Sequence, residues 1–137
     1  MIVVDTGPIV GLINDRDDDH ERCLALLSSH PGPLLVPTPV FTEVCLLLEK
    51  RRGTRAELEF LHDVRSGLFQ LVELTAADLD RIGVLVDKYA DLPLGTVDAS
   101  VIAVTERLKL TEVATLDRRH FSVVRPDHVP ALTLLPQ

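Results

Sequence analysis

Apolar residues along the chain keep two rhythms, short unbroken runs and longer stretches spaced at helical intervals, and the two alternate from end to end. Ile2-Val3-Val4 is the first run, and Thr6-Gly7-Pro8 then turns into a short helix through Ile9, Val10, Leu12 and Ile13. A second helix begins in the acidic run Asp15 to Asp19, carries Cys23, Leu24, Leu26 and Leu27, and is stopped by His30-Pro31-Gly32-Pro33. Leu34-Leu35-Val36 reads as a second strand. Thr38 is expected to cap the helix that follows, with Pro39 in its first position. On a wheel of about 100° per residue, Val40, Phe41, Val44, Cys45, Leu47 and Leu48 cover one broad arc of that helix, and Glu43 falls just beyond its edge.

Gly53 ends the helix, and Thr54-Arg55-Ala56-Glu57 has capping-box spacing for another through Leu58, Leu61, Val64 and Leu68. Phe69 to Leu74 predicts a third strand, and Thr75 caps a helix striped by Leu79, Ile82, Leu85, Val86 and Tyr89. After Asp91-Leu92-Pro93-Leu94-Gly95, Asp98 opens another helix. A strand over Val113 to Leu116, a short one over Phe121 to Val124, and an edge strand within Leu132 to Leu135 complete the pattern. Strands separated by helices predict an α/β fold, one domain over residues 1–137 with a central, mainly parallel sheet and helices on both faces.

Composition suits that architecture, since 137 residues with 46% hydrophobic content supply one core. The opening apolar run lacks a basic leader, is interrupted by Asp5, and is far shorter than the ~20 residues that span a bilayer. A soluble cytoplasmic chain with no membrane partner is expected. Cys23 and Cys45 lie in helical patterns without CxxC spacing, so they are expected to be reduced core residues and not zinc ligands.

Four acids change the picture. Asp5 closes Ile2-Val3-Val4, and Asp117 closes Val113-Ala114-Thr115-Leu116, so each carboxylate would sit just past the carboxyl end of a buried strand, where open α/β sheets bind ligands. Glu43 and Asp98 interrupt or open apolar helices. Two unpaired carboxylates ~5 Å apart repel by roughly 3 kcal/mol at an effective dielectric of 20, so four cannot gather without a cation. Oxygen-only ligands select hard ions such as Mg²⁺ or Mn²⁺ over Zn²⁺. Two such ions about 4 Å apart can activate water on one side of a phosphodiester and stabilise the leaving oxygen on the other.

The formal charge of −7 argues against a nucleic-acid partner on its face. Four carboxylates in one cation site would account for more than half of it, leaving Arg51, Arg52, Arg55, Arg65, Arg118 and Arg119, with His120, to form a basic footprint. The run Asp15 to Asp19 reads as a solvated, phosphate-repelling lead-in to its helix, with no catalytic role.

These residues resemble the PIN-domain ribonucleases, particularly the VapC-type toxins of bacterial toxin-antitoxin pairs, over essentially the whole chain. The resemblance is carried by Ile2-Val3-Val4-Asp5-Thr6-Gly7-Pro8, Val36-Pro37-Thr38-Pro39-Val40-Phe41-Thr42-Glu43-Val44, Leu92-Pro93-Leu94-Gly95-Thr96-Val97-Asp98-Ala99-Ser100 and Ala114-Thr115-Leu116-Asp117-Arg118-Arg119-His120-Phe121, in that order. It implies a three-layer α/β/α PIN-like domain. It further implies that Asp5, Asp98 and Asp117 ligate Mg²⁺, with Mn²⁺ able to substitute, and that Glu43 holds or orients the attacking water. Thr6, Ser100 and Thr115 match small hydroxyl positions beside the acids. The resemblance also implies endonucleolytic cutting of RNA, a homodimer, and inhibition by a small antitoxin. Arg55, Arg118 and Arg119 are the candidate RNA contacts.

Structural roles compete with these. Asp5 and Asp98 could be helix caps, Asp117 the start of a turn, and Glu43 the partner of an Arg or Lys50. Arg51 and Arg52 read best as solvating a helix end and favouring its dipole. The five histidines have no ligand spacing and read as surface or turn residues, with only His120 placed where it would be carried to the rim of the site. Phosphoryl transfer to Asp5, a non-catalytic binding module and a housekeeping RNA-processing nuclease remain the alternative functions. The first of these would want an Asp-x-Asp motif, where this chain has Asp5-Thr6-Gly7.

Overall fold

The computed structural model describes residues 1–137. In chain order the elements are β1 (Ile2–Val4), α1 (Thr6–Ile13), α2 (His20–Ser29), β2 (Leu34–Pro37), α3 (Thr38–Arg52), α4 (Thr54–Arg65), β3 (Phe69–Val72), α5 (Ala76–Lys88), α6 (Thr96–Arg107), β4 (Glu112–Ala114), α7 (Arg118–Val123) and β5 (Thr133–Leu135). The strands form one sheet in the order β3-β2-β1-β4-β5, and every pairing is parallel. Val3 lies opposite both Leu35 of β2 and Val113 of β4. The order reverses at β1, whose neighbours lead to opposite ends of the sheet, and the crevice at such a reversal is where α/β sheets place ligands.

Ile2, Val3 and Val4 are wholly buried, as unbroken apolar runs in a sheet covered on both faces must be. Three-layer packing continues outward from them. Helix α3 packs on β2 and against α1 and α6, while Phe60 of α4 bridges Phe41 and Phe69 with ring centroids 5.6 and 5.7 Å away. Helices α1 and α2 approach closely because Gly11 has no side chain, and a Cβ there would stand 2.8 Å from Cys23 Sγ. Cys23 and Cys45 are both free and buried. No helix is long and apolar enough to cross a membrane.

The structure departs from the sequence pattern at several ends. The segment expected as a strand over Phe121 to Val124 belongs largely to α7, because the Asp117 carboxylate accepts the His120 amide at 3.0 Å and caps a helical turn. Phe121 and Val124 are buried while Val123 is half exposed, the three-residue spacing of a helix and not the alternation of a strand. Thr38 is the first residue of α3 and makes no capping hydrogen bond. The capping box at Thr54 does not form either, since Gly53 at φ 92° joins α3 to α4 with no side chain to offer. At Thr75 the box is complete, Thr75 Oγ1 accepting the Asp78 amide and Asp78 accepting the Thr75 amide, both at 3.0 Å.

Candidate active site

Asp5, Glu43, Asp98 and Asp117 line one cavity of about 420 Å³ at the carboxyl edge of β1 and β4. Asp5 leaves β1 at the N-cap of α1, yet its side chain makes no capping hydrogen bond. Its Oδ2 instead accepts the Thr115 hydroxyl at 2.8 Å, and Thr115 Oγ1 accepts the Asp117 amide at 3.0 Å. One buried hydroxyl thereby ties the acids that follow β1 and β4. Asp98 lies in the first turn of α6, two residues past its start, and so does not cap it. Glu43 projects from the first half of α3 on the same stripe as Leu47 and Arg51, both of which also line the cavity. None of the chain's ion pairs includes Glu43.

Electrostatics at this spot are unbalanced. Burial pushes the Asp5 carboxyl up to about 7; the adjacent Thr6 amide and the Thr115 hydroxyl oppose the rise, and the charges of Asp98 and Glu43 add to it. Asp98 is raised as well, first by burial, then against the His120 hydrogen bond by the charges of Asp117 and Glu43. His120 Nδ1 stands 2.8 Å from Asp98 Oδ2 and 2.8 Å from Asp117 Oδ2. The ligand atoms of these three residues lie within 4.8 Å of one another, a span compatible with one cation.

The family model described as PIN domain matches residues 2–125. The chain belongs to the PIN-domain family. It is 30% identical over 135 residues to ribonuclease VapC26 of Mycobacterium tuberculosis, covering 98% of this chain and all of that protein. Among solved structures, VapC20 of Mycobacterium tuberculosis, described as a sarcin-ricin loop cleaving toxin, superposes with a TM-score of 0.84 at 23% identity over 94% of this chain and 98% of that one. A toxin-antitoxin complex from Klebsiella pneumoniae gives 0.72 at 18% identity, over 90% of this chain and 92% of its own.

Around the acids of this PIN domain the small hydroxyls divide. Thr115 holds Asp5, Ser100 donates to the Val97 carbonyl at 2.6 Å inside α6, and Thr6 Oγ1 is buried beside the cavity with no hydrogen-bond partner. The arginines divide too. Arg118 Nη2 is spent on the backbone carbonyls of Leu134 and Pro136, Arg55 lines a different cleft with Asp15, Arg52 and Glu59, and Arg119 is exposed on α7.

The sequence placed His120 only at the rim of the site, and it gave Asp17, Asp19 and Arg51, which line the cavity, no place among the acids. His120 sits between two of the acids, and the signal for it was Asp117 three residues earlier, one helical turn away. Asp17 and Asp19 stand on the cavity wall in an ordered loop and not as a merely solvated lead-in: Asp17 accepts the Asp19 amide at 2.9 Å, and His20 Nδ1 meets the Gly11 carbonyl at 2.8 Å. No local pattern announces that fold-back. Arg51 also lines the cavity, and its spacing of eight from Glu43 was readable in the sequence.

Proposed function

We propose that this PIN domain is a Mg²⁺-dependent endoribonuclease, the toxin of a toxin-antitoxin pair, active as a homodimer and neutralised by a small antitoxin protein. The observation that carries the reading is the gathering of Asp5, Glu43, Asp98 and Asp117 on one cavity without enough positive charge to balance them. The donor set fits a hard divalent ion, being carboxylates with one imidazole and no thiolate. The unpartnered Thr6 hydroxyl is a second sign that the cavity is built for an occupant.

Asp5, Asp98 and Asp117 would hold Mg²⁺, or Mn²⁺ in its place. Bound there, the cation supplies positive charge against the phosphodiester and makes water nucleophilic near neutral pH. The chain's own side chains do the positioning. Thr115 fixes Asp5, His120 fixes Asp98 and Asp117, and Glu43 orients the attacking water. RNA as the substrate class is supported by the likeness to ribonuclease VapC26 and by the loop-cleaving activity named for VapC20. An inhibitory partner is supported by the Klebsiella toxin-antitoxin complex of the same fold. Exposed Leu46 on α3 and Leu58 and Leu61 on α4 offer apolar surface for such protein contacts.

Purified, partner-free protein should cut structured RNAs in Mg²⁺ or Mn²⁺, and both EDTA and Asp5→Asn should abolish the cutting. A folded protein that binds no Mn²⁺ by calorimetry would sink the four-carboxylate site.

A further inference from the structure

Six carboxylates line the cavity, those of Asp5, Asp17, Asp19, Glu43, Asp98 and Asp117, and a single basic side chain stands among them, Arg51. Taking the nuclease reading as its basis, we propose that Arg51 anchors the RNA backbone phosphate adjacent to the scissile one, so that the strand enters along α3 and not over the Asp17 and Asp19 loop.

The charge balance demands such a group. Cations bound by Asp5, Asp98 and Asp117 would offset the acids beneath the reacting phosphate, but on the wall Asp17 makes no ion pair and repels a polyanion, while Asp19 is paired with Arg22 at 2.6 Å. Arg51 is the one place on the same wall where a phosphate meets an opposite charge. Its position also selects which phosphate. Eight residues of helix at about 1.5 Å each set Arg51 roughly 12 Å along α3 from Glu43, too far to share the phosphate over the acids and suited to its neighbour. A guanidinium is the group of choice there, because its planar fork matches two phosphate oxygens.

Arg51 is also uncommitted. None of the chain's ion pairs includes it, whereas the next residue, Arg52, reaches Asp15 at 3.4 Å. A role limited to the helix dipole would be shared with Lys50 and Arg52 in the same last turn of α3, and would give no reason for Arg51 to face the acids.

The test is binding of a short fluorescein-labelled single-stranded RNA of mixed sequence, by anisotropy across a NaCl titration. Ca²⁺ replaces Mg²⁺ so that the strand is held and not cut. Arg51→Gln should weaken binding roughly 3- to 10-fold and flatten the plot of log affinity against log salt by about 0.7, the increment of one phosphate contact on a single strand. Arg51→Lys should keep the slope. Lys88→Gln, the same charge change at the end of α5 and away from the cavity, should leave affinity within about twofold. Mn²⁺ affinity and melting temperature should be the same for all four proteins. If Arg51→Gln behaves like Lys88→Gln while the parent chain still binds RNA, the anchor is overturned and the nuclease reading survives. If the parent chain fails to bind RNA even at low salt, both fall together.

Discussion

Asp5 shows at the scale of one residue what a buried, unbalanced carboxylate does to stability. Its carboxyl ionises near 3.8 in an unfolded chain and at about 7 in the fold. Between those values the native state holds the extra proton, so stability falls as pH rises through that window, and above it the whole penalty is felt. Asp98 is shifted in the same direction and adds to the trend. At full effect the Asp5 gap amounts to at most roughly 4 kcal/mol. Asp5→Asn keeps an oxygen to accept the Thr115 hydroxyl and removes the charge. In EDTA at pH 8 the variant should therefore be more stable than the parent by roughly 1 to 4 kcal/mol, with the difference at pH 5 cut to about 40% of that. Urea unfolding at both pH values measures this, and a variant less stable at pH 8 would contradict the account of Asp5 as an uncompensated charge. The four acids were legible because each breaks or ends an apolar run, which a sequence displays directly. Arg51 was not singled out and His120 was placed only at the rim, since a surface residue on a helix looks the same whether it faces solvent or a cavity.

At the scale of elements, the apolar rhythm gave the helices and strands, and side-chain capping decided where the rhythm misled. Val123 and Val124 suit a strand by propensity, but Asp117 offers a carboxylate to the His120 amide, and α7 forms instead. The opposite error occurred at Thr54, where a capping box was readable and Gly53 made it unnecessary. Gly53 adopts φ 92° and ψ −178°, a region open essentially to glycine alone, and its amide serves the carbonyls of Leu48 and Glu49, both at 3.0 Å. No atom lies within 4 Å of a Cβ built there, so a substitution would meet backbone strain and no clash. Gly53→Ala should cost about 1 to 3 kcal/mol in urea unfolding. Glu43 lies in the opposite half of α3, so Mn²⁺ affinity should hardly move. A neutral Gly53→Ala would mean that the α3 to α4 turn relaxes to another backbone path.

At the scale of the whole molecule, the site exists because of the order of the strands. Asp5 and Asp117 are more than a hundred residues apart and meet only because β4 pairs with β1 on the side away from β2. That long-range order cannot be read from local pattern; the acids told what would gather, and the sheet determines where. On the proposed nuclease reading, the arrangement would also make the fold sensitive to a bound cation. A ligand at about 100 times its dissociation constant stabilises a folded state by roughly 2.7 kcal/mol. For a chain of this size that corresponds to a melting-temperature rise of about 8 to 12 °C. At pH 8 Asp5 is ionised, and Mn²⁺ should both bind and relieve the repulsion among the acids. At pH 5.5 Asp5 holds its proton, the ion must displace it, and the gain should be a small fraction of that at pH 8. Thermal melts with and without Mn²⁺ at the two pH values would show this, with Asp5→Asn gaining little at either. Equal Mn²⁺ shifts at both pH values, or an undiminished shift in Asp5→Asn, would place the ion away from Asp5 and separate the buried charge from the metal site.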